Sequence, residues 1–424
     1  MIPLAWAEVE ELQLGRLEGG GASAVITGIR GDSREVGAGD LFVALNTGVR
    51  YVDEAQARGA ATLIPDHQEA ALAALAALVR SKSDARVVAV VGSAGKTTTK
   101  DILGAFCAPH APTIWAEKSL NNEIGLPLTL CRLEPDTRIL VTEMGMRGLG
   151  QIAALCAVAL PEIAVVSHIG PEHLELLGSV ERVAQANAEA IASLPPGGTA
   201  VVPERCPELE PYLERADVTI RRFDPDDVDR ENATTRFSLD GQTVELELPF
   251  TQRHHAVNAL AALHAYAALG FPLDRASKGA GAIRLSPWRG EEVSLPGGGL
   301  VINDAYNANP DSMRAALEHL AERAGDFRRV AILGEMAELG SESARYHREI
   351  GELASRLGIE VVGVGEPARA YEPVVWVAGA EEVVDVARSI LRPGDAVLVK
   401  ASRAVGLEGI AAEIANFARA WFPS

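Results

Sequence analysis

The feature that most restricts this chain is a small-residue loop set between a run of β-branched residues and a helical pattern. Residues 87–91 read as a buried strand, Gly92-Ser93-Ala94-Gly95-Lys96-Thr97-Thr98 follows, and residues 96–106 carry helical periodicity. Small residues let backbone N–H groups approach phosphate oxygens, and the helix N-terminus adds partial positive charge. Lys96 then reaches the β- and γ-phosphates, and Thr97 ligates Mg²⁺. Val90 stands where the strict G-x-x-x-x-G-K-[ST] pattern has its first glycine, so Gly92 carries the first turn. The plain alternative is a structural strand-to-helix turn; the order strand, loop, Gly-Lys-Thr, helix favours a nucleoside triphosphate.

Apolar runs near 139–142 and 163–167 extend this unit into a largely parallel sheet. Glu143 closes one of them, where an acidic residue faces the phosphates and holds Mg²⁺ in phosphate-loop folds. Before this unit, β-like runs at 24–29, 40–45 and 61–64 alternate with a helical run at 68–80, and a polar stretch at 80–84 ends the pattern. After it come a hairpin over 234–248 around Asp240-Gly241 and an alanine-rich helix at 255–269. From Arg289 the chain alternates strands (299–303, 329–333, 359–364, 396–400) with helices (310–324, 342–357 and a terminal one), a Rossmann-like order. The pattern predicts three α/β domains at 1–83, 84–288 and 289–424: a small N-terminal one, a central phosphate-loop one and a C-terminal Rossmann-like one.

Composition excludes some partners. With 39 basic against 58 acidic residues the formal charge is −19, which argues against nucleic acid and anionic membrane surfaces and requires a local basic pocket for any anionic substrate. Cys107, Cys131, Cys156 and Cys206 form no CxxC pair, so free buried thiols in a reducing compartment are expected. Glu8, Glu10 and Glu11 interrupt any secretion signal, and the Ala/Leu run at 70–79 is too short to span a bilayer. A cytoplasmic protein without membrane insertion is predicted.

Two further strings carry a resemblance. Ser119-Leu120-Asn121-Asn122-Glu123-Ile124-Gly125 and Asp304-Ala305-Tyr306-Asn307-Ala308-Asn309-Pro310-Asp311-Ser312-Met313, together with the variant phosphate loop, resemble the Mur ligase family. Asp32-Ser33-Arg34, the Ile169-Gly170 and His173-Leu174-Glu175 pair, Gly334-Glu335-Met336, and Lys400-Ala401-Ser402-Arg403 extend the likeness along the chain. The second string is similar to the branch of that family that adds D-alanyl-D-alanine to UDP-N-acetylmuramoyl-tripeptide. The resemblance implies ATP and Mg²⁺, an N-terminal domain for the UDP-linked substrate, a monomer, and an acyl-phosphate route. In that route the peptide carboxylate attacks the γ-phosphate and the dipeptide amine then displaces phosphate.

On the same grounds Lys96, Glu143, His173, Lys400 and Arg403 are the implied catalytic set, with Thr97, Glu143 and His173 at the metal. Gly92, Ser93, Ala94, Gly95, Lys96, Thr97, Thr98, Asn258 and Asp304 are implied to bind ATP. Ser33, Arg34, Asn121, Asn122, Asn307, Asn309 and Ser312 are implied to bind substrate. Plain readings stand beside these: Asp304 as a cap for the helix at 310, His255 as a cap for its own helix, Asn307, Asn309 and Ser312 closing Asx turns, Lys400 and Arg403 as a solvated rim. The family lysine that becomes a carbamate is replaced by Asn187, and no lysine lies between Lys118 and Lys278. Turnover independent of bicarbonate and a need for higher Mg²⁺ are the expected consequences. A phosphate-loop switch and a folylpolyglutamate-type synthetase are the alternatives; the absence of a basic stripe speaks against the first, the Tyr306-Asn307-Ala308-Asn309-Pro310 string against the second.

Overall fold

A computed structural model describes residues 1–21, 23–117, 119–231 and 234–421. The N-terminal part holds a four-stranded sheet of β1 (Gly15–Glu18), β2 (Gly28–Arg30), β3 (Asp40–Val43) and β4 (Ala61–Pro65) in the order β1-β4-β3-β2. Helix α1 (Gln68–Ser81) buries Ala71, Leu72, Leu75, Ala76 and Val79, an apolar stripe at helical spacing. Strand β1 escapes the sequence reading because Leu17 is its one large apolar residue, and Arg16 and Glu18 sit on a half-exposed edge.

The central part is a parallel sheet of β5 (Arg86–Val91), β6 (Thr113–Trp115), β7 (Ile139–Glu143), β8 (Ile163–Val166), β9 (Thr199–Pro203) and β10 (Thr219–Phe223), in the order β10-β9-β8-β5-β7-β6. Its inner strands are covered on both faces, which is why they read as unbroken Val/Ile/Ala runs. Strand β5 lies inside the sheet, so the loop after it opens at the carboxyl edge, where open α/β sheets bind ligands. Helix α2 (Lys96–Cys107) follows, buried from Thr97 onward, and α3 (Val180–Ala192) covers β8 and β5.

The hairpin at Asp240-Gly241, both with positive φ, joins β12 and β13 of a three-stranded antiparallel sheet: β11 (Val228–Glu231), β12 (Thr234–Leu239) and β13 (Gln242–Glu247). The sequence reading has the hairpin but not β11, whose Val-Asp-Arg-Glu buries only Val228. Helix α4 (Arg253–Ala268) packs along α2.

The C-terminal sheet has the order β14-β15-β19-β16-β17-β18, built from β14 (Glu291–Ser294), β15 (Leu300–Asn303), β16 (Arg329–Leu333), β17 (Ile359–Val364), β18 (Val375–Val377) and β19 (Ala396–Lys400). All but the edge strand β14 run parallel. Helices α5 (Pro310–Ala324), α6 (Ser343–Arg356) and α7 (Ile410–Ala418) cover it. Asn309, not Asp304, caps α5: its Oδ1 accepts from Ser312 N–H at 2.9 Å while Ser312 Oγ accepts from Asn309 N–H at 3.0 Å. The cap reading of Asp304 is therefore replaced. Glu292 on β14 ties the seam to the rest, accepting from Thr251 and Arg323 and meeting His319 at 2.9 Å. Burial opposes its charge, but those bonds outweigh it and hold the carboxyl down at about 2. All four cysteines are free and buried, and desolvation lifts Cys107, Cys131 and Cys156 to about 12, so they are unreactive thiols. Among the described residues no helix is long and apolar enough to cross a membrane.

Candidate active site

Two glycines make the loop possible. Gly92 has φ 131° and a side chain there would strike Ser167 Oγ and the His168 backbone; Gly95 has φ 80° and a Cβ would run into the Asn258 amide. The loop is then pinned from β8 and its following turn. Ser93 N–H donates to His168 C=O at 2.8 Å, and Ser167 Oγ donates to Ala94 C=O at 2.6 Å. Lys96 Nζ donates to Gly92 C=O and lies 3.4 Å from Glu172, with its side chain 13% exposed. The lysine is thus held at the loop mouth by a carboxylate.

A cavity of about 360 Å³ lies in front of the loop, lined by Lys96, Thr97, Asn121, Glu143, His173 and Arg289 among others. Glu143 is 1% exposed; Asn121 Nδ2 donates to one carboxylate oxygen at 2.7 Å, and the other is buried without a partner. An orphaned carboxylate oxygen beside a phosphate loop suits a hard cation. Asn122 closes a turn instead, its Oδ1 accepting from Gly125 N–H at 2.9 Å.

The three metal ligands implied by the sequence, Thr97, Glu143 and His173, all line this cavity. His173 adopts φ 51° and turns Nδ1 to Glu338 of the C-terminal unit, Thr97 Oγ1 lies 3.1 Å from Ser119 Oγ, and no group of three His, Cys, Asp or Glu is placed to hold a metal among the described residues. Asn187 braces the phosphate loop. Its Oδ1 accepts from Gly92 N–H at 2.7 Å and its Nδ2 donates to Val183 C=O at 2.9 Å, so one end of the amide holds the loop and the other its own helix α3. Asn187→Leu is expected to raise the KM for ATP about 10-fold, because a buried N–H is left unpaired. The wild type in buffer stripped of carbon dioxide is expected to keep its rate; recovery by added bicarbonate would refute this.

A second cavity, about 250 Å³, adjoins the first and is lined by His254, His255, Asn258, Asp304, Asn307 and Lys400 among others. Burial pushes His254 well below the usual imidazole range and His255 to about 4, so both are neutral at physiological pH. His255 does not cap α4: Gln252 occupies that position, and His255 Nε2 lies 3.2 Å from Arg289 C=O while its Nδ1 is buried without a partner. Lys400 is no solvated rim. It is 2% exposed, and its Nζ donates to Asp304 Oδ2 at 2.6 Å and to Asn307 C=O at 2.9 Å. Arg403 does stay exposed. Asn309, besides its cap, donates to Ser93 C=O at 3.2 Å, so it holds the phosphate loop against α5. Ser33 is buried and Arg34 is paired with Asp32 in the N-terminal unit, and neither lines the two cavities.

The sequence reading missed Arg289. Its Nη2 donates to Thr97 Oγ1 at 2.8 Å, and its guanidinium lies 4.1 Å from the Tyr306 ring centre. The strap that carries it is fastened along its length. Ser286 N–H and Oγ donate to Asp101 Oδ2 at 2.8 Å, Tyr306 N–H to Trp288 C=O at 3.2 Å, and Gln252 Nε2 to Gly290 C=O at 2.7 Å. An arginine at the seam between two periodic units, directly before a glycine, was the signal available.

Such a geometry, in which a separate α/β unit lends an arginine and an asparagine to a phosphate loop, belongs to multidomain enzymes that spend a nucleoside triphosphate on a second substrate. Residues 90–266 match the Mur ligase middle domain and residues 288–403 the Mur ligase, glutamate ligase domain. The UDP-N-acetylmuramoyl-tripeptide--D-alanyl-D-alanine ligase of Escherichia coli (strain K12) is 33% identical over 97% of this chain and 98% of its own length. The enzyme of that name from Bacillus subtilis (strain 168) is 31% identical over 92% and 93%. Among solved structures, MurF from Acinetobacter baumannii superposes with TM-score 0.86 at 26% identity over 98% of this chain and 99% of that one. MurF ligase from Thermotoga maritima in complex with ADP gives 0.81 at 27% over 92% and 98%. The chain belongs to the Mur ligase family and is an ATP-dependent, ADP-forming amide ligase.

Proposed function

We propose that the chain joins D-alanyl-D-alanine to UDP-N-acetylmuramoyl-tripeptide in the cytoplasm, with three units at 1–83, 84–288 and 289–424 dividing the work. The observation that carries this reading is the joint between Arg289 and Thr97, which closes the phosphate loop with a residue from outside the central sheet. In this reading the loop from Gly92 to Thr98 binds the phosphates of ATP. The neutral His255 and Asn258 meet the base, and Asp304, steadied by Lys400, accepts from the ribose. Glu143 and Thr97 fit Mg²⁺, which when bound offsets phosphate charge; His173, held by Glu338, orients the cavity wall beside it.

ATP here is a substrate. The tripeptide carboxylate takes the γ-phosphoryl group to give an acyl phosphate and ADP, and the dipeptide amine then attacks the carbonyl and releases phosphate. Both steps crowd anions, so Lys96 and Arg289 supply fixed positive charge where it develops. Asn121 positions Glu143, Asn307 faces both cavities, and Ser312 and Asn309 keep α5 against the loop. Ser33 and Arg34 serve the uridine diphosphate end, with Asn122 shaping the turn at the cavity's edge. The test is phosphate release with UDP-N-acetylmuramoyl-tripeptide, with the corresponding dipeptide nucleotide and with folate, each with its amine partner. Turnover is expected with the tripeptide and D-alanyl-D-alanine; turnover confined to folate and glutamate would overturn the assignment.

A further inference from the structure

The phosphate loop is tied to the C-terminal unit by a closed ring of hydrogen bonds, one member of which the chemistry leaves unused. Ser93 anchors the ring: its N–H donates to His168 C=O at 2.8 Å, and its own C=O accepts from Asn309 Nδ2 at 3.2 Å. Two residues into α5 from Asn309, the carboxylate of Asp311 meets His168 Nε2 at 2.9 Å. That nitrogen donates to the carboxylate whether the imidazole is neutral or charged. The path from Ser93 through Asn309, Asp311 and His168 back to Ser93 therefore closes across the seam between the central and C-terminal units.

The joint is closely fitted. A side chain at Gly170 would strike Asp311 Oδ2 and stand 3.0 Å from His168 Nε2, so the two partners meet directly over that glycine's backbone. Gly170 is itself fastened to the loop, its N–H donating to Ser93 Oγ at 3.0 Å and its C=O accepting from that hydroxyl at 3.1 Å.

Position decides what the joint does. His168 and Asp311 both line the second cavity, and neither lines the cavity in front of Lys96. Ser167, His255, Asn258, Asn309 and Lys400 in the same lining are buried, whereas His168 and Asp311 keep side chains 44% and 38% exposed. The pair thus spans the solvent side of the cavity and joins a turn of the central unit to a helix of the C-terminal one. A nucleotide held between the two units is freed when they part, and the pair must break for them to part there. An ion pair so exposed is worth at most about fivefold in an equilibrium constant, which suits a contact that opens in every catalytic cycle.

We propose that the His168–Asp311 pair is a latch that holds the two units together over bound nucleotide and sets how fast ADP leaves; this rests on ADP occupying the second cavity. The experiment follows release of fluorescently labelled ADP from the full-length enzyme, chased with excess unlabelled ADP, beside single-turnover formation of ADP. His168→Ala and Asp311→Ala are each expected to speed release about 3- to 5-fold. The double variant should go no further than either alone, because one missing partner already opens the latch. His168→Glu, which sets two carboxylates face to face, is expected to release ADP faster than His168→Ala. Release unchanged in both alanine variants, effects that multiply in the double variant, or a glutamate variant no faster than the alanine one overturns the proposal. So does a variant whose single-turnover rate falls while release stays slow, since that places the pair in the chemical step. Both side chains are half-exposed and fill no core, so the variants are expected to fold, which thermal unfolding checks. A wild type that binds no ADP sinks the nucleotide reading of the cavity itself, a result distinct from these.

Discussion

Lys96→Ala is expected to remove at least 100-fold, on the order of 3 to 4 kcal/mol, from kcat/KM while leaving the fold in place. The side chain meets only Gly92 C=O and Glu172 at the cavity mouth and fills no core, so its loss opens no apolar void. What it removes is a fixed cation at the point where phosphate charge shifts. Glu172, with a side chain 10% exposed, then keeps a negative charge facing the same phosphates with its nearest counter-ion gone. That compounds the loss, and it separates the effect from simple deletion of a contact. Steady-state phosphate release measures the first quantity and thermal unfolding the second. A fall smaller than tenfold, or a loss of activity matched by a collapse in melting temperature, would be inconsistent with a phosphate-facing lysine.

What the sequence makes legible follows from how burial writes itself into residue choice. Strands covered on both faces, such as 87–91 and 330–333, must be apolar throughout, and they stand out. Edge strands such as Gly15–Glu18, which buries no residue fully, and Val228–Glu231, which buries one, vanish into the background. The same logic divides the site. The phosphate loop is local, its parts adjacent in sequence, so its strand, turn and helix were readable together. Arg289 is 192 positions from the hydroxyl it binds, and nothing near it in sequence announces that partner. Motif matching also gave His173 a metal to serve and read Asn187 as the loss of a charged ligand. In the folded chain His173 Nδ1 meets Glu338 and Asn187 Oδ1 accepts from Gly92 N–H, partners that only tertiary packing supplies.

Arg289→Ala is expected to lower kcat by about 100- to 1,000-fold, with a smaller change in the KM for ATP. The argument begins with what the side chain does in the absence of phosphates. Nη2 donates to Thr97 Oγ1, while Nε is buried without a partner, so the guanidinium is presented to the cavity with donor capacity unspent. Its plane is set by Tyr306 and its backbone by the contacts of Trp288, His255 and Gln252, so little reorganisation is needed when charge builds on the transferring group. Interactions that strengthen as charge develops appear in kcat; contacts equal in ground and transition states appear in KM. Arg289→Lys should rescue little, because an ammonium lacks both the fork and the flat face that rests on Tyr306. Tyr306→Leu should fall between, since it keeps the guanidinium but frees its orientation. Thr97 retains Ser119 as a neighbour in the alanine variant, so the loop itself should keep its shape. The decisive measurement is single-turnover formation of ADP, which isolates the chemical step from binding and release: an unchanged single-turnover rate with a raised KM for ATP would reduce Arg289 to an anchor for the ground state.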